Sequence, residues 1–139
     1  MDRTDRTHTS SPALLYARIF GVAFTLAGVL GLILNTEQNS VEPLLGLDVN
    51  LTHNIVHLAT GIAGLVAGFT AALSARVFAL ALGVVYTLLA IWGLASGGNI
   101  DPFDLFVRIN MADHVFHLVV GLLGITAYVL SRDRNRDAV

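Results

Sequence analysis

Val77-Phe-Ala-Leu-Ala-Leu-Gly-Val-Val-Tyr-Thr-Leu-Leu-Ala-Ile-Trp-Gly-Leu-Ala95 contains no charged residue. A helix needs about 20 apolar residues to cross a ~30 Å hydrocarbon core. Within hydrocarbon the backbone must satisfy its own hydrogen bonds, so a stretch of this kind has to be helical. Working outward, three more such stretches cover about 13–34, 51–73 and 111–130. The reading that follows is an all-α protein, a four-transmembrane-helix bundle over 13–130. Polar tails at 1–12 and 131–139 flank it.

Composition agrees. The chain is 55% hydrophobic and 13% charged, with a mean hydropathy of +0.71, whereas soluble domains carry roughly 25% charged residues. That excludes an ordinary cytosolic enzyme and a disordered chain. A net charge of −2 offers no basic footprint for nucleic acid. The absence of cysteine removes disulfides, thiolate metal sites, iron–sulfur clusters and covalent CxxCH haem attachment. The expected partner is the lipid bilayer.

All 8 basic residues are arginine. Four crossings put both termini on one side, together with Arg3, Arg6, Arg18, Arg76, Arg132, Arg134 and Arg136; only Arg108 falls on the other. Cytoplasmic loops collect positive charge, so the N and C termini are expected to be cytoplasmic, in a bacterial plasma membrane. The outer loops, about 35–50 and 96–110, carry Glu37, Glu42, Asp48, Asp101 and Asp104. Phe103 and Phe106 suggest a short amphipathic segment there. The first span is too long, and the segment before it too acidic, for a cleaved signal peptide.

The spans repeat. Gly21, Val22, Thr25, Leu26, Gly31 and Leu32 recur as Gly83, Val84, Thr87, Leu88, Gly93 and Leu94. Asn50, His57, Leu58, Gly61 and Gly64 recur 60 residues later as Asn110, His117, Leu118, Gly121 and Gly124. Chance explains matching Leu and Gly more easily than an Asn and a His with the same spacing. The pattern predicts two duplicated helical hairpins in the same topology, with His57 and His117 at equal depth, roughly 10 Å into their helices.

Asn50, Asn110 and Asp113 are placed to cap the second and fourth helices, with Asp113 also favourable to the helix dipole. His53 and His57 share a helix face, as do His114 and His117. An intramembrane ionisable residue points to a functional site. His53, His57, His114, His117 and Asp113 therefore form a candidate metal set, and His57 with His117 a candidate pair of axial haem ligands. The competing reading gives these side chains a structural role, since polar groups hold membrane helices together by interhelical hydrogen bonds. On the residue pattern that reading weighs more. It makes the protein an accessory or interaction membrane protein with a histidine-containing polar cluster near the outer face. Metal- or haem-dependent redox chemistry is the alternative, and a pH-responsive or small-solute transport unit a further one, because histidine titrates near physiological pH.

Pro12, Pro43 and Pro102 all lie outside span interiors, so the mid-membrane helix breaks of transporters are missing. Gly64-x3-Gly68 fits packing inside the bundle better than a homodimer contact. No catalytic constellation is present, which argues against an enzyme.

Asn50-x-x-His53-Asn54-x-x-His57-Leu58-x-x-Gly61, Gly83-x-x-Tyr86 and Asn110-x-Ala112-Asp113-x-x-x-His117 together resemble a bacterial membrane family catalogued as domain of unknown function 4383. The resemblance covers about 13–130. It implies a four-span plasma-membrane protein and carries no activity with it.

Overall fold

The computed structural model describes residues 11–35, 42–44, 47–102 and 107–136. Helix α1 spans Pro12–Leu34, strands β1 and β2 span Glu42–Leu44 and Leu47–Val49, and helices α2, α3 and α4 span Leu51–Thr70, Ala72–Ala95 and Met111–Arg136. All 4 helices are long and apolar enough to cross a membrane. Arg3, Arg6, Glu37, Asp104 and the Phe103 and Phe106 segment lie outside the described residues.

Burial is inverted relative to a water-soluble protein. Ile33 is 72% exposed and Phe69 69%, while Asn54, His114 and Asp113 are at most 1% exposed. In water such a surface would be a very large apolar patch. In lipid it is the favourable arrangement, with apolar side chains outward and polar groups facing one another.

The interior is built from small residues and a few rings. Ala13, Ala17, Ala75, Ala79 and Ala90 are fully buried and allow close backbone approach. Gly61 and Gly121 mark two close approaches between helices. A Cβ at Gly61 would overlap the Thr25 backbone, and one at Gly121 the Thr87 side chain and backbone. Gly64 and Gly68 face Gly21, Ala17 and Arg18, so this small-residue pair packs on α1 within the bundle. Phe24 packs edge-on to Tyr86 with centroids 5.6 Å apart. The Tyr16 hydroxyl donates to the Val120 carbonyl at 3.0 Å, tying α1 to α4.

The start of α1 adjoins the last turns of α4. Pro12 opens α1 without a side-chain cap from Ser11. The orphan Ala13 N–H donates instead to the Ser131 hydroxyl at 2.9 Å, and Ser131 also bonds Ser11 at 3.2 Å. This pairing explains why α4 runs past 130, where a polar tail is expected from sequence. The α2–α3 turn also comes earlier than the apolar run suggests, at Ala71 (φ −153°, ψ 155°). There Ser74 accepts from the Ala71 N–H at 3.2 Å and lies 2.9 Å from the Ala67 carbonyl. At the opposite end, β1 and β2 form a small antiparallel hairpin pairing Glu42 with Val49. Gly97 and Gly98, with φ of +84° and +98°, turn the chain out of α3.

Candidate functional site

Local hydrogen bonding fixes where α2 and α4 begin, and hence where their histidines lie. Asn50 Oδ1 accepts from the His53 N–H at 2.9 Å. Asn110 Oδ1 accepts from the Asp113 N–H at 3.0 Å, and Asp113 Oδ2 accepts in return from the Asn110 N–H at 3.0 Å. This is a reciprocal capping box. The same Asp113 oxygen accepts from the Asp48 N–H at 3.2 Å, which fastens β2 over the top of α4.

Below these caps, His53, His57 and His117 meet. One ring nitrogen from each lies within 4.8 Å of the others, and the residues are 2%, 4% and 3% exposed. The His53 and His57 rings are 4.4 Å apart. The His117 ring lies 4.4 Å from Tyr86, tilted 50° to it, and His57 lies 5.3 Å from Phe24. His53 Nδ1 is 2.6 Å from the Asp48 carbonyl. A carbonyl can only accept, so this nitrogen carries the proton and orients the ring. Asp113 and Asp48 are the negative charges acting on His53.

The remaining nitrogens are unusual. Neither Nδ1 nor Nε2 of His57 has a hydrogen-bond partner, nor does Nδ1 of His117, and all three are buried. Buried polar atoms normally find partners, and leaving one unpaired costs about 1–3 kcal/mol.

Sequence reasoning placed five residues in the donor set, and three of them converge. His114 turns toward α3 instead: a Cβ at Gly93 would overlap its ring, and its own two ring nitrogens are also unpartnered. Asp113 is committed to the N–H groups of Asn110 and Asp48. Asn54, in the sequence only part of the family motif and not a candidate site residue, is fully buried, donates to the Asn35 carbonyl at 3.1 Å, and sits where a Cβ at Gly31 would overlap it. The signal for both was available, since Asn54 and His114 lie 60 residues apart, in the register that relates His57 to His117.

The three histidines also line a cleft of about 600 Å³ with Tyr86, Trp92 and Leu88. Leu88 and Trp92 are 61% and 43% exposed, so the cleft opens on the apolar face of α3. Pro102, Val107 and Ile109 of the α3–α4 connection form one of its walls. Tyr86, Trp92 and this wall were not legible as site residues in the sequence.

A family model described as a domain of unknown function (DUF4383) matches residues 14–130. The chain belongs to this family. The matched span takes in the three histidines, their caps and the cleft. No curated protein and no solved structure matches the chain. Its four described helices, each long and apolar enough to cross a membrane, suggest a multi-pass membrane protein in a family described as of unknown function.

Proposed function

We propose that this chain is a membrane protein that binds a transition-metal ion at His53, His57 and His117. One observation carries the reading: His57 has both ring nitrogens buried and unpartnered beside two other imidazoles within 4.8 Å. His114 shares the unpartnered nitrogens but lies outside the converging set, so it is the meeting of three imidazoles that marks the ligands. Ligand nitrogens sit about 2.0–2.1 Å from a zinc ion, so those of a tetrahedral site are ~3.4 Å apart. From separations of up to 4.8 Å the side chains would close by up to about 1.4 Å around an ion. Neutral imidazoles suit zinc, copper, iron or nickel. Three imidazoles leave a fourth position open, facing the cleft that these side chains line. The third imidazole so close to the His57 ring favours a bare ion over a haem macrocycle. Asp113 and Asp48 supply compensating negative charge, and the Asp48 carbonyl is an outer-shell partner of His53.

In this reading the site lies beneath the outer face of a bacterial plasma membrane, with both termini cytoplasmic. Arg18, Arg76 and Arg132 at the termini's end, against Arg108 alone at the other, support that orientation. The bundle is a duplicated pair of hairpins. Support comes from repeated contacts: Thr25 and Thr87 donate to Gly21 and Gly83 at 2.7 Å each. Likewise Gly21 abuts Leu65 as Gly83 abuts Ile125, and Gly31 abuts Asn54 as Gly93 abuts His114. In that register His117 is the copy of His57, and Asp113 occupies the position of His53.

The test is metal analysis of detergent-purified protein after chelation and reloading with zinc or copper(II). One ion per chain is expected, retained in His114→Ala and reduced at least ten-fold in affinity in His57→Ala and His117→Ala. A wild-type protein that binds neither ion at micromolar concentration, or variants that bind as well as it does, would return the histidines to a packing role.

A further inference from the structure

A second cleft of about 600 Å³ lies at the opposite end of the bundle, between α3 and α4, lined by Arg76, Arg132 and Tyr128 at its polar end. The rest of its lining is apolar and runs along α3 from Leu73 to Val85. Leu73, Val84 and Val85 are 64%, 41% and 51% exposed, so this wall belongs to the lipid-facing surface. Nε of Arg76 is buried and has no hydrogen-bond partner. Among the described residues no ion pair engages either guanidinium. Arg18 at the same end is different: it donates to the Gly68 carbonyl at 2.8 Å and lies 4.7 Å over the Phe69 ring.

We infer that this cleft holds one anionic phospholipid, its phosphate between Arg76 and Arg132 and an acyl chain along α3. Guanidinium groups match phosphate oxygens with paired N–H donors. A basic pocket between spanning helices at the cytoplasmic side is a recurrent site for anionic headgroups. The apolar wall selects a lipid over a free anion. Leu73 to Val85 covers about 18 Å at 1.5 Å per residue, close to the ~15 Å that one leaflet contributes to the hydrocarbon core. Two guanidinium charges that no ion pair engages among the described residues favour an acidic headgroup over a zwitterionic one. The inference needs the bundle to lie in a bilayer and is independent of the metal site at the other end.

The experiment compares the intact protein in nanodiscs of phosphatidylcholine alone with nanodiscs containing about one fifth phosphatidylglycerol, followed by release and native mass spectrometry. The expected result is one retained phosphatidylglycerol per chain, falling at least ten-fold in Arg76→Gln/Arg132→Gln and unchanged in Arg108→Gln. Ala81→Trp, which fills the apolar wall and keeps both arginines, is expected to lose retention as well, so the conclusion does not hang on one variant's folding. Equal retention of the two lipids, or undiminished retention in both variants, overturns the inference. So does inorganic phosphate raising thermal stability as much as phosphatidylglycerol does, which would assign the arginines to a free anion. A concentration-dependent dimer that cross-links through this cleft overturns it in favour of a second copy.

Discussion

His57→Leu separates a ligand from a packing residue by the sign of its effect on the metal-free protein. Leucine nearly preserves the volume and removes one N–H and one lone pair, both buried without partners. Each unsatisfied group costs about 1–3 kcal/mol. Against this gain stands the lost ring contact with Phe24 at 5.3 Å, worth about 0.5–1.5 kcal/mol. Two such groups less the lost contact leave a stabilisation of about 0.5–5 kcal/mol in chelator-treated protein. At about 3–5 °C per kcal/mol for a domain of this size, the unfolding midpoint should rise by at least roughly 2 °C. The assay is thermal unfolding in detergent with chelator, then with zinc. Wild type should gain stability from zinc, and His57→Leu should be more stable than wild type without the ion and indifferent to it. Destabilisation of the chelated variant by more than about 1 kcal/mol would refute the reasoning, because the nitrogens would then be contributing bonds to the fold.

Gly93→Ala should cost about 1–3 kcal/mol by forcing a methyl into the buried His114 ring. Adding His114→Ala should recover most of that loss, a coupling read from the double-mutant cycle. Tyr16→Phe should cost about 0.6–2 kcal/mol of bundle stability, the worth of one interhelical hydrogen bond, with metal stoichiometry unchanged. Asp113→Ala, which leaves the Asn110 and Asp48 N–H groups without their acceptor, should destabilise by about 0.5–2 kcal/mol in thermal unfolding.

Four helices, their approximate lengths and the residues at the α2 and α4 starts were legible in the chain alone. A bilayer imposes one continuous apolar length per crossing, and a cap acts on its own first turn. Both constraints are local and leave their mark on consecutive residues. For the same reason His57 and His117 could be expected level with each other, each being seven residues beyond an Asn. Tertiary packing decided the rest. His53 joins the cluster and His114 leaves it because the cavity left by the missing side chain at Gly93 accepts that ring. A missing side chain on another helix leaves no trace in the sequence around the histidine itself. The turn at Ala71 depends on one serine hydroxyl within an otherwise apolar run, and the cleft beside Tyr86 exists only where α3 and the α3–α4 connection meet the histidines. Periodicity reports how each helix meets lipid; which polar groups share a buried space depends on how neighbouring helices are seated against one another.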